Sequence, residues 1–270
     1  MIVLIENLST FQNIIYIISS MLFITGIKML GKEDTAVRGN FLSALAMFIA
    51  VSITFVNVVN PLIIIIGISV GAIIGSVIAL KVKMTSIPEM VALFNGFGGL
   101  ATFFIAWSEF STTPENYFQY ILIMLTTFIG GVTFTGSIVA YGKLSERLQI
   151  KKTSLITKLF TTIFYISLIY LIYSTFFTGI FEPNFDFYLV LIILTLLGGI
   201  GFVLPIGGGD MPVVISLLNS FSGIAAAFAG LMLSNNVLIV AGSLVGASGL
   251  ILTIIMAKAM NRSIGNILFV

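Results

Sequence analysis

The 270-residue chain contains no cysteine, no histidine, one tryptophan and only 8% charged residues. Each shortage excludes something. Without Cys there is no disulfide framework and no thiolate metal site, and cysteine usage says nothing about redox compartment. Without His the usual metal ligand and neutral-pH proton carrier are missing, so no metal site is expected. An ordinary soluble domain carries roughly a quarter charged residues, which this chain does not approach. The net charge of +2 is small and the cations are scattered over several loops, so no nucleic-acid partner is expected.

What the chain has is apolar length. It is 59% hydrophobic with a mean hydropathy of +1.19, the composition of an all-α integral membrane protein whose partner is the lipid bilayer. A span needs about 20 apolar residues to cross about 30 Å of hydrocarbon. Apolar runs bounded by charges, Pro, Asn or Gly predict nine spans, at about 11–29, 40–59, 61–80, 88–107, 117–141, 158–179, 186–205, 211–233 and 236–258. With nine spans all twelve Lys and Arg residues fall on one side, which the positive-inside rule makes the cytoplasmic side. The N-terminus is then expected outside and the C-terminus inside, with residues 1–270 forming a single transmembrane domain. The start of the chain has no basic segment and carries Glu6, so it reads as a short outer segment before a retained first span.

Polar residues inside apolar runs stand out against this background. GGGDMPVVISLLNSFSG, residues 207–223, places Asp210 at the mouth of a span and Asn219 two turns inside. A second stretch shares its spacing: Pro88 to Asn95 repeats Pro212 to Asn219, with Phe, Gly and Ala matching beyond. Seven residues at 1.5 Å each put both amides about 10 Å into their helices. Thr133 and Ser248 lie about 15 Å from the same face, counted from Lys143 and Lys258. The four side chains are expected in one polar layer. Two readings stand for them, helix-to-helix hydrogen bonds or a path for a polar species. Asp210 likewise reads as an N-cap or a proton acceptor with no Lys or Arg in its own loop, and Glu89 repeats that choice beside Pro88. Gly71 and Gly75, and Gly242, Gly246 and Gly249, have the spacing of close helix contacts. No strand precedes GGGD and no Gly-Lys-Ser follows it, so it is not a phosphate loop.

Residues 207–263, KMTSIPEMVALFNGFGGLA at 83–101, GGVTFTGSIVAYGKL at 130–144 and, more weakly, KEDTAVRGN at 32–40 resemble the membrane part of the beta subunit of the proton-translocating nicotinamide nucleotide transhydrogenases. The resemblance implies a subunit of an enzyme that moves hydride between NAD(H) and NADP(H) on partner domains while protons cross the membrane. It implies no catalytic residue and no bound cofactor on this chain. Its implied partners are an alpha subunit with the NAD(H) site and its own spans, a separate NADP(H)-binding domain absent from these 270 residues, and a second copy of the complex in a dimer. The implied location is a bacterial-type inner membrane or an equivalent organelle membrane. In the family the Asp and Asn at 210 and 219 belong to the proton path, and the segment with Lys258 and Arg262 resembles the hinge to the NADP(H) domain. The family often has a protonatable His where this chain has Asn95. A secondary transporter using the polar layer as its solute site is the alternative, although the repeat is parallel and not inverted.

Overall fold

A segment in hydrocarbon must satisfy every backbone N–H and C=O internally, so long apolar runs fold as helices. The computed structural model describes residues 2–57, 60–112, 114, 116–150, 154–178 and 184–268. Its helices are α1 (Ile2–Leu30), α2 (Glu33–Thr54), α3 (Pro61–Lys81), α4 (Ile87–Ser111), α5 (Tyr117–Leu144), α6 (Leu155–Tyr173), α7 (Phe185–Val203), α8 (Met211–Met232), α9 (Asn236–Ala259) and the short α10 (Ile264–Leu268). Among the described residues α1 to α9 each contain a stretch long and apolar enough to cross a membrane, and no strand occurs. The expected all-α membrane fold is present.

Two boundaries differ from expectation. The first helix reaches back to Ile2, through what reads as a short outer segment. The second begins at Glu33, seven residues before the expected start, and ends at Thr54 in a 3-10 turn, Phe55–Asn57. Glu33 and Asp34 occupy its first turn, where the helix dipole favours acids, so the charged segment is helical. Elsewhere side chains mark the starts: Asn116, Ser154, Asn184 and Asn235 each accept a backbone N–H of the first turn, at 2.8 to 3.2 Å. Lys151 and Lys152, which enter the orientation argument, lie outside the described residues.

The chain forms two compact units, Met1–Lys81 and Val82–Val270. In the first, α1 and α2 meet at glycine: a Cβ on Gly39 would stand 2.7 Å from the carbonyl oxygen of Gly26. α3 has no buried residue. Gly71 and Gly75, whose spacing reads as a helix contact, have nothing within 4 Å of a would-be Cβ. Their spacing alone does not place a neighbour there.

In the second unit α5 is the central helix, lined with buried residues from Tyr120 to Ala140. One apolar core gathers Phe110, Ile123, Met124, Tyr188 and Leu191 near the start of α5. Tyr188 stacks on Phe110 with ring centroids 3.9 Å apart, and its hydroxyl pairs with Thr127 at 2.8 Å. A second core gathers Val203, Ile206, Met211, Val214 and Leu218 near its end. Between helices the backbones touch at glycine. A Cβ on Gly130 would lie 2.8 Å from Gly99 O, one on Gly223 2.8 Å from Gly242 O, and one on Gly249 2.9 Å from Ser220 N.

These contacts separate two kinds of glycine. A Val at Gly242 would overlap the backbone of Ala227, so Gly242→Val is expected to cost about 1–3 kcal/mol as overpacking. Gly71→Ala meets no neighbour and is expected to change stability by less than about 1 kcal/mol. Thermal melting in detergent of the two variants beside the parent checks both.

Candidate functional site

At the end of α9 the chain reverses through a Schellman turn. Arg262 N–H donates to Ala257 O at 3.0 Å and Asn261 N–H to Lys258 O at 2.9 Å, with Asn261 at φ 53°. Asn is the residue that tolerates this left-handed position best after Gly. The turn fixes the backbone of Arg262, whose Nη1 donates to Asp210 Oδ2 at 2.5 Å. Asp210 is buried, whereas the Arg262 side chain is half-exposed.

This pair revises two expectations about Asp210. Its side chain caps no N–H of α8, although the residue stands at the N-cap position. The carboxylate also has a cation, which comes from 52 residues away and not from its own loop. The carboxylate makes its charge-assisted bond to this guanidinium and none to the backbone of α8.

Lys143, in the last turn of α5, closes the neighbouring wall. Its Nζ donates to Leu204 O at 2.6 Å, to Val203 O at 3.4 Å and to Ile206 O. A cation among the last carbonyls of α7 satisfies acceptors that the helix leaves open and complements its dipole. Lys143, Glu146, Pro205, Asp210 and Arg262 line a cavity of about 740 Å³ at this end of the unit.

Deeper in, the polar residues meet in a different set from the one expected. Asn95 Nδ2 donates to Ser137 Oγ and Asn95 Oδ1 accepts from Ser222 Oγ, both at 2.9 Å. The node ties α4, α5 and α8 together. Asn219 is exposed on α8 outside it. Ser248, also exposed, donates to Val245 O of its own helix at 3.1 Å. Thr133 is fully buried against Gly99 with no partner for its hydroxyl. Asn95, Asn219, Thr133 and Ser248 therefore do not meet in one hydrogen-bonded cluster. The repeat puts its two amides at matching positions in sequence, but the two helices present them to different surroundings. Glu89 is half-buried in the first turn of α4, and Lys258 is exposed in the last turn of α9. Gly242, Gly246 and Gly249 lie along the contact with α8.

Comparison with known proteins places the chain in a family. The family model described as "NAD(P) transhydrogenase beta subunit" matches residues 12–270. The chain belongs to the NAD(P) transhydrogenase beta-subunit family. Two Rhodospirillum rubrum proteins named NAD(P) transhydrogenase subunit beta, one assigned to a particular strain, are each 37% identical over 265 aligned positions. The match covers 94% of this chain and 56% of theirs, so the chain spans little more than half the length of these curated relatives. Membership, together with nine long apolar helices among the described residues, makes this a multi-pass membrane protein. It gives no support to the solute-transporter alternative.

Ser137, Ser222 and Lys143 are not among the residues that the sequence singles out for the site. Ser222 follows Asn219 by three residues in the quoted motif, and Ser137 ends the Thr-Gly-Ser of a quoted block. Their signal was present, but the choice among several hydroxyls needed the helix rotations. No group of three or more acidic residues suited to a metal ion occurs among the described residues.

The half-exposed Arg262 limits how much the ion pair stabilises the fold. A double-mutant cycle of Asp210→Asn and Arg262→Gln, read by thermal melting, is expected to give a coupling of about 0.2–1 kcal/mol, the range of solvent-accessible pairs.

Proposed function

We propose that this chain is the membrane proton-translocating part of an NAD(P) transhydrogenase, coupling hydride transfer between NAD(H) and NADP(H) on partner domains to proton movement. The observation that carries the reading is the Asp210–Arg262 contact at 2.5 Å, in a chain of the beta-subunit family. Asp210 lies at the entrance of α8, and Arg262 lies on the turn that leaves the last span.

The pair makes a physical coupling element. While the guanidinium holds Asp210 Oδ2, that oxygen is occupied by Arg262 and is not open to water. If the segment beyond α9 shifts, Arg262 moves with it and leaves Asp210 Oδ2 open to the water of its cavity. Nucleotide state on an NADP(H)-binding domain connected at this end biases that shift. Lys258, in the last turn before the hinge, and Glu89, at the same end of α4, are the other charged groups of the path.

The interior route runs past Asn95, Asn219, Thr133 and Ser248. Asn95 has no titrating proton, so it polarises water through its bonds to Ser137 and Ser222 and does not store the proton itself. Asn219 and Ser248, exposed on α8 and α9, face the position of an alpha subunit whose spans supply the titrating group. An exposed amide in a membrane span is costly unless a protein or water partner meets it. The alpha subunit carries the NAD(H) site, the NADP(H) domain is a separate chain or a following domain, and two complexes associate as a dimer. The location is a bacterial-type inner membrane, or its organelle equivalent, with the Asp210 end toward the cytosol.

The test uses inverted vesicles holding the complete complex, given NADPH and an NAD analogue. Asp210→Asn, Arg262→Gln and Asn219→Leu are each expected to lower analogue reduction and uncoupler-sensitive internal acidification together, by about tenfold to a hundredfold or more. Wild-type rates of both in assembled Asp210→Asn and Asn219→Leu complexes would show the reading to be wrong.

A further inference from the structure

A second cavity, of about 500 Å³, lies at the opposite end of the α4–α10 unit, between the end of α4, the start of α5 and the end of α8. Glu109, Asn116, Gln119 and Ser234 give it its polar groups. Among the described residues lining it Glu109 is the one that is charged, and Gln119 Nε2 donates to Glu109 Oε2 at 3.4 Å. Among the described residues no Lys or Arg lines this cavity, in contrast to the Arg262 beside Asp210.

From this cavity one face of α5 continues into the bundle. Gln119, Thr126, Thr133 and Ser137 are spaced by 7, 7 and 4 residues, which at 3.6 residues per turn keeps them on a single stripe. The stripe faces α4: Thr133 Cβ stands 2.9 Å from a would-be Cβ on Gly99, and Ser137 Cβ 3.1 Å from one on Gly96. It ends at the Asn95–Ser137–Ser222 node. Gln119 and Ser137 are about 27 Å apart along the helix, close to the roughly 30 Å of hydrocarbon to be crossed.

The hydroxyls on the stripe are unusual. Membrane Thr side chains ordinarily bond back to a carbonyl one turn earlier, as Thr135 does to Gly131 O, Thr102 to Gly99 O and Thr253 to Gly249 O. Thr126 and Thr133 are fully buried and make no such bond. A buried hydroxyl with no protein partner costs free energy unless water meets it. Thr195 on α7 is also unpartnered, but it abuts Gly131, off this stripe.

We infer that Glu109 is the proton-exchange group at the membrane face opposite Asp210, and that the α4–α5 seam along Gln119, Thr126, Thr133 and Ser137 is the water-joined route from it to Asn95. This rests on the proton-translocating reading above. Glu109 takes a proton from water in its cavity and passes it to the first water of the seam. Each water and hydroxyl then accepts one proton on one side and releases another on the far side, so one proton crosses with no net bond change. Thr126 and Thr133 stand about 10 Å apart, too far for a direct hydrogen bond, and Gly130 between them packs on Gly99 O, so the waters that join them enter when α4 and α5 part locally.

The complete complex in detergent, where no gradient opposes proton movement, provides the test through hydride transfer from NADPH to an NAD analogue. Glu109→Gln is expected to slow it by about a hundredfold, the scale of losing a positioned proton-transfer group. Added formic acid should restore much of the rate, because a small acid can deliver a proton but cannot repair a packing defect. Glu109→Asp should retain most of the rate. An assembled Glu109→Gln complex at wild-type rate, or a loss that formic acid leaves untouched, overturns the inference. Thr126→Val together with Thr133→Val keeps shape and removes both hydroxyls. A several-fold loss is expected, and an unchanged rate overturns the route even where Glu109 variants fail to assemble. Asp210→Asn runs alongside: its loss with Glu109→Gln intact puts the mouth elsewhere and leaves the proposed function standing. Wild-type rates in both variants remove the proposed function itself.

Discussion

Helices in lipid gain nothing from the hydrophobic effect against one another, because the tails around them are as apolar as leucine. What holds them is van der Waals contact at short range, and here that contact is made backbone to backbone at glycine. Gly99 against Gly130 joins α4 to α5, and Gly223 against Gly242, with Gly249 against Ser220, joins α8 to α9. The polar geometry depends on these approaches. Ser137 reaches Asn95 because Gly96 lets the two helices close, and Arg262 stands over Asp210 because α9 is pressed along α8.

The helices themselves were legible in the sequence because apolar length leaves little choice of structure in hydrocarbon. The misplaced start of α2 shows the weak point of that reading: hydropathy detects the membrane-embedded part, whereas the helix continues into water where Glu33 and Asp34 suit its first turn. Gly71 and Gly75 show another. A small-residue spacing states that a neighbour can come close, and only packing decides whether one does.

The site was legible in its residues more than in its connections. Asp210 and Asn95 stand out by type and position and Arg262 only through the family resemblance, and the pairing of Asp210 with Arg262 depends on a reversal at Asn261 that a hydropathy pattern does not encode. Asn95, Asn219, Thr133 and Ser248 do not meet one another for a related reason. Depth along a helix follows from counting residues, but the direction a side chain faces depends on the rotation of each helix. The repeat at 88 and 212 fixes the depth of Asn95 and Asn219 equally and leaves one bonded inside and the other exposed.

Between Glu109 and Asp210 the facing helices carry amides and hydroxyls and no charged side chain: α4 has none from Met90 to Ser108, α5 none from Tyr117 to Gly142, and α8 none at all. An uncharged, low-dielectric layer of this kind is where an electrical potential across a membrane falls most steeply. One elementary charge carried through it exchanges about 2.3 kcal/mol with the field for every 100 mV. The same lack of charge that lets these helices sit in lipid also makes passage through them an electrical event, so voltage, and not only a difference in pH, acts on whatever positive charge traverses the unit.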